Sequence, residues 1–289
     1  MKALDEKTRK TVLSFQKSEI TEHIIYKLLS ERTKDRKNSD VLKKISAEEL
    51  EHYNFWREYT GEDVRPDRKK IWFYLFVSRF FGLTFGIKLM EKGEVDAEKA
   101  YGEIAVEIPE AREIAEEEDA HERELMSMID EERLRYVGSV VLGLNDALVE
   151  LTGALSGFTL ALKDTRLIAV VGLVTGISAS LSMAASEYLS TKTEEDGKHP
   201  IKASLYTGTA YVVTVVILIL PFFIFGNPFV SLAVTLTCAV IIIMFFNYYI
   251  SVAKDLPFRR RFLEMAAISL GVSAISFFIG HIVRIVFKL

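Results

Sequence analysis

The feature that most limits this fold is a change of character near Val137. Five apolar runs follow it, about Tyr136–Leu162, Leu167–Leu189, Leu205–Phe225, Phe229–Ile250 and Phe262–Phe287. Each reaches the ~20 residues an α-helix needs to span hydrocarbon. Residues 1–137 instead carry 25 Lys/Arg and 31 Asp/Glu, against 11 and 9 in the remainder. One compact water-soluble domain is excluded. Cys238 is the only cysteine, so a disulfide scaffold is excluded too. A net charge of −4 without an extended basic tract argues against a nucleic-acid partner. No secretory signal is expected, because the first long apolar stretch starts near Ile71. These features predict an all-α chain, with a helical domain over residues 1–133 and a five-span membrane domain over 134–289.

Helical periodicity runs through the first half, and Gly61, Pro66, Gly93 and Pro109 punctuate it. Four helical patterns emerge, roughly 5–32, 39–59, 67–108 and 110–132. Gly82, Gly86 and Gly93 are candidate breaks in the third. Ile71–Met90 is long enough to span a membrane, but it contains Arg79 and Lys88. An Arg at mid-depth costs about 2.5–3.5 kcal/mol even on lenient scales. A buried or interfacial helix is expected there rather than a sixth span. Among the connections between spans, the two long ones carry Lys192, Lys198, Lys202, Lys254, Arg259, Arg260 and Arg261. Positive charge favours the cytoplasmic side. The first half, flanked by Arg133 and Arg135, is therefore expected in the cytoplasm and the C-terminus outside.

The sharpest signal is a set of carboxylates on apolar stripes. Val12, Phe15, Glu19, Tyr26 and Leu29 share one helical face, as do Ile45, Glu49, His52 and Trp56. Ile87, Met90, Glu94, Ala97, Tyr101, Ile104 and Ile108 form a third stripe. Ile114, Glu118, His121, Leu125 and Met128 form a fourth. Four buried carboxylates without partners would each cost several kcal/mol. Two divalent cations would neutralise them, and carboxylate oxygens with imidazole nitrogens suit iron or manganese. One Glu from each of two helices plus Glu-x-x-His from two others is the ligand set of a di-iron carboxylate bundle.

An internal repeat reinforces this pattern. Glu19 and Tyr26 are seven apart, as are Glu94 and Tyr101, and each pair precedes a Glu-x-x-His. Residues 5–132 resemble the ferritin-like superfamily, and rubrerythrin-type domains within it. The resemblance implies a four-helix bundle with a dinuclear iron site, ligated by Glu19, Glu49, His52, Glu94, Glu118 and His121. Under the same resemblance Glu91, three before Glu94, is a candidate for an extra ligand of the rubrerythrin kind, with Glu22 and His23 as looser candidates. The Cys-rich module of full rubrerythrins is absent from this sequence.

The membrane half carries acids inside its spans. Asp146 and Glu150 are four apart on the first, and Met183 and Glu187 are four apart on the second. Ionisable groups at such depth normally face a bundle interior or a pathway. Carboxylates with a thioether suit a transition metal better than Ca²⁺ or Na⁺. The run Leu142–Glu150 resembles the Asn-Asp-Gly/Ala-Leu-Val motif of the vacuolar iron transporter family. Ser182–Tyr188 resembles its Ser-Met-Ala-x-x-Glu-Tyr motif. That resemblance implies a homodimeric exporter of cytosolic Fe²⁺, or of Mn²⁺, coupled to protons. Asp146, Glu150, Met183 and Glu187 would line its path. The extended Glu-rich cytoplasmic helices of the family's eukaryotic members are absent, since Ser190–Ser204 is short, and the first half is expected to gather metal instead. The alternative is a membrane-anchored diiron ferroxidase or peroxidase; a third reading is a metal-sensing signalling protein. His199 and His281 receive no role.

Overall fold

The computed structural model describes residues 4–92, 101, 104–127, 135–194, 197–254 and 256–287. The described residues are helical, with no strand among them, and the chain divides into two compact units, Met1–Glu131 and Glu132–Leu289.

In the first unit, α1 (Glu6–Arg32) and α2 (Arg36–Thr60) pack along each other. Asp5 and Asp35 cap their N-termini by accepting backbone N–H bonds from Thr8 and Asn38. Gly61, at φ 68°, ends α2 in the left-handed conformation that suits glycine. The long third pattern is broken at Gly82, whose φ of 101° a side chain would strain. That break separates α3 (Arg68–Phe81) from α4 (Leu83–Glu91). Gly86 stays helical and lets α4 approach Ser78 of α3 closely. Ile71–Met90 is thus two helices rather than a span, and α4 buries Phe85, Ile87 and Met90. Helix α5 is Ala111–Ser127.

Two apolar clusters form along these helices. Val12, Phe15, Trp56, Tyr101, Ile104, Ile108, Ala111 and Ile114 make one. Ile25, Tyr26, Leu29, Leu42, Ile45, Ile87, Met90 and Leu125 make the other. Between them in sequence, on each of α1, α2 and α5, lie Glu19, then Glu49 and His52, then Glu118 and His121. The apolar stripes therefore bury the polar layer by packing on both sides of it.

The second unit contains α6 (Val137–Leu162), α7 (Thr165–Thr193), α8 (Pro200–Ile224), α9 (Pro228–Ala253) and α10 (Phe258–Phe287). All five are long and apolar enough to cross a membrane, as an integral membrane protein requires. Outward residues such as Val174, Leu181, Leu220 and Ile275 are apolar and exposed, the surface lipid would cover. Small and hydroxyl residues hold the interior together. Thr207 Oγ1 donates to the Ser139 carbonyl at 2.9 Å, and Ser204 Oγ to the Ala184 carbonyl at 2.7 Å.

Gly143 marks a close approach of α6 to α8. A Cβ there would lie 2.3 Å from the Thr207 carbonyl oxygen, a backbone atom that cannot swing away. Gly143→Ala should therefore destabilise the membrane unit by about 1–3 kcal/mol, as overpacking does. Thermal unfolding in detergent checks this against Gly138→Ala, where an added Cβ meets nothing within 4 Å. Equal midpoints for the two variants would contradict the close contact.

Candidate metal centre and membrane acids

Helix α1 supplies Glu19, α2 supplies Glu49 and His52, and α5 supplies Glu118 and His121. Ligand atoms of Glu19, Glu49, His52 and Glu118 all lie within 4.8 Å of one another. His52 Nδ1 is 2.9 Å from Glu118 Oε1 and 3.7 Å from both Glu19 Oε2 and Glu49 Oε2. His121 Nδ1 is 3.2 Å from Glu49 Oε1 and 3.6 Å from Glu118 Oε2. Glu49 and Glu118 thus each reach both imidazoles, whereas Glu19 approaches His52.

Five inward atoms are buried without a hydrogen-bond partner: Glu19 Oε2, Glu49 Oε2, His52 Nδ1, Glu118 Oε1 and His121 Nδ1. Even the shortest approach, His52 to Glu118, lacks hydrogen-bond geometry. Such a convergence of orphaned atoms is expensive unless a cation satisfies it. The donor set of carboxylate oxygens and imidazole nitrogens fits a divalent transition metal.

The outward nitrogens are held. Glu117 Oε2 sits 2.8 Å from His52 Nε2, and Glu48 Oε2 sits 2.9 Å from His121 Nε2. Carboxylates in this position orient an imidazole and fix its tautomer, leaving Nδ1 facing the centre. The arrangement is reciprocal. The acid just before the Glu-x-x-His of α2 serves the histidine of α5, and the converse holds. Sequence reasoning missed Glu48 and Glu117, although the doubled Glu before each His was visible.

Tyr101 donates its hydroxyl to Glu19 Oε1 at 2.6 Å and stacks on Phe15 at 4.2 Å. Burial pushes the Glu19 carboxyl well up, and the Glu49 and Glu118 charges add to it. Burial also raises the Tyr101 hydroxyl, with the Glu19 charge next. Burial alone would raise Glu49, but the close approach of His121 and then His52 outweighs it and brings it down to about 2. Burial opposes charge on the histidines, yet the carboxylates prevail: contact with Glu118 and then Glu19 raises His52. Contact with Glu118 and then Glu49 raises His121 to about 10.

The remaining candidates divide. His23 turns to Ser46, with Nδ1 2.6 Å from its carbonyl oxygen, and is not in the cluster. Glu22 adds negative charge near Tyr101. Glu94 lies outside the described residues, and for Glu91 the helix is described but not the side chain.

In the membrane unit, Ser139, Gly143, Asp146 and Glu150 follow one another at spacings of four, three and four, one face of α6. Ser139 Oγ donates to Glu187 Oε1 at 2.5 Å, which brings α7 to the same face. Tyr211 of α8 donates its hydroxyl to Glu150 Oε2 at 2.8 Å. Asp146 is half-buried. Met183 is half-buried too, against the apolar core of this unit. Sequence reasoning missed Ser139 and Tyr211. His199 caps α8, and its backbone N–H donates to the Tyr136 hydroxyl at 2.9 Å. His281 lies within α10.

No curated protein matches the chain. Residues 137–199, which contain Asp146, Glu150, Met183 and Glu187, match the VIT family.

Proposed function

We propose that this chain is a membrane transporter of divalent iron or manganese, exporting the ion from the cytosol in exchange for protons. The observation that carries this reading is the placement of Asp146, Glu150 and Glu187 inside membrane-length helices, within the segment that matches the VIT family. Each of these acids can hold a proton or part of a cation's coordination shell, so binding one displaces the other. The cation would pass Glu187, held by Ser139, and then Asp146 and Glu150 two and three turns along α6. Uptake of Fe²⁺ or Mn²⁺ into sealed proteoliposomes tests this. Uptake no faster than in protein-free vesicles would end the transport reading.

The first unit would be a ferritin-like domain that binds, senses or loads the metal at a dinuclear centre. Glu19, Glu49, His52, Glu118 and His121 would hold it, and the sequence repeat makes Glu94 the counterpart of Glu19. A bound pair of redox-active ions would add oxidation of Fe²⁺. This supports the second reading, a membrane-anchored ferroxidase or peroxidase. Oxygen or peroxide consumption on Fe²⁺ addition, without flux into vesicles, would favour it. In either case Glu48 and Glu117 position the histidines. Glu48→Gln/Glu117→Gln should weaken metal binding by about 10–100-fold, the usual effect of losing an outer partner. Competition against a metal-chelating dye measures it, and unchanged affinity would remove their positioning role.

A further inference from the structure

Helix α3 presents two different faces. Ile71, Tyr74 and Leu75 pack onto the apolar cluster of the first unit, and Val77 and Ser78 are buried. On the other side Trp72 is 68% exposed, Phe73 46% and Phe76 42%. Trp72 stacks on Phe76 at 5.4 Å, and Phe76 packs on Phe80 at 4.5 Å, so the rings form a ladder up one face. Contiguous exposed aromatics of this kind mark an interaction surface.

The charge on the helix itself has one sign. Arg68, Lys69, Lys70 and Arg79 are exposed, and the helix from Arg68 to Phe81 contains no acid. At its start a cleft is lined by Lys17, Arg65, Pro66, Asp67, Arg68 and Lys69. Its one acid, Asp67, is engaged by Lys17 at 3.3 Å and by the backbone N–H groups of Lys69 and Lys70. The cleft is therefore net positive.

We propose that the outer face of α3 lies in the interfacial layer of the bilayer, with its rings among the upper acyl chains and its basic residues on anionic lipid headgroups. Tryptophan and phenylalanine on one face with Lys and Arg beside them is the composition of helices that lie in that layer. Basic residues near a membrane surface are attracted to anionic lipid. The chain carries its own membrane helices, so the bilayer is present at high effective concentration. The basic cleft fits the phosphate of a headgroup next to the aromatic ladder.

The chain has only two tryptophans, Trp72 and the fully buried Trp56, and neither is in the membrane unit. Tryptophan emission, excited selectively, therefore reports on the first unit alone. The full chain is placed in nanodiscs of phosphatidylglycerol and phosphatidylcholine, with lipids brominated near the headgroup end of the acyl chain. Emission is compared with unbrominated nanodiscs. The expected result is quenching that disappears in Trp72→Phe. It should also fall several-fold in Arg68→Glu/Lys69→Glu/Lys70→Glu and in discs of phosphatidylcholine alone. If the bromines leave Trp72 unquenched while aqueous iodide quenches it, the face is open to water and the proposal fails. If neither quencher reaches it, protein covers the face, as in a pair of copies, and the proposal fails equally.

Discussion

On the proposed dinuclear reading, Glu49→Ala/Glu118→Ala should strip the first unit of bound metal, from about two ions per chain to none. These two carboxylates are the ones whose contacts reach both His52 and His121. Removing them leaves the imidazoles without the groups that would share a cation between them. Metal analysis of the full chain in detergent decides the matter, and unchanged metal content would sink the centre. The wild-type site should also bind metal more tightly as pH rises. His121, raised to about 10, holds a proton near neutrality that a cation must displace, and the upward shifts of Glu19 and His52 act in the same direction. Each is protonated below its shifted pKa, so acid competes with metal and the competition weakens as pH climbs. Glu49, held down to about 2, is already ionised near neutrality and adds nothing there. Titration with Mn²⁺ at about pH 6 and about pH 8 should show higher affinity at the upper value, with protons released on binding. Equal affinities would mean that the site is not proton-loaded.

How this centre could be read from sequence shows where periodicity is strong. Val12, Phe15, Glu19, Tyr26 and Leu29 are all buried, as are Ile45, Glu49, His52 and Trp56. A helix presents one face every 3.6 residues, so spacing alone put these acids inside. The same rule cannot pair distant helices. Nothing in the sequence around Tyr211 shows that its hydroxyl meets Glu150, 61 residues earlier. Glu48 and Glu117 are hard to read from sequence for a related reason. Each lies one residue off its stripe, where a carboxylate normally meets water, and its partner is a histidine of another helix. The break in the third pattern is similarly ambiguous. Gly82, Gly86 and Gly93 can each end a helix. Gly82 takes a positive φ, Gly86 remains helical against Ser78, and Gly93 lies outside the described residues.

Asp146→Asn should lower Fe²⁺ flux by more than about tenfold, the low end of what even outer-partner losses do at metal sites. Asparagine keeps the size of the side chain and removes its exchangeable charge, so packing on α6 is preserved while proton–metal exchange is not. Asp146 has the most to lose on this face. Glu150 shares its charge with the Tyr211 hydroxyl and Glu187 with the Ser139 hydroxyl. Proteoliposomes with an interior iron-sensitive dye and a pH dye should lose both signals together in the variant. Metal bound at Glu19, Glu49, His52, Glu118 and His121 should be unchanged, because those ligands belong to the other unit. Full flux in Asp146→Asn would refute the path through α6. Flux indifferent to an imposed pH gradient at zero membrane potential would refute proton exchange while leaving metal passage intact. The two outcomes separate because the first concerns which atoms coordinate the ion, and the second concerns what returns in its place.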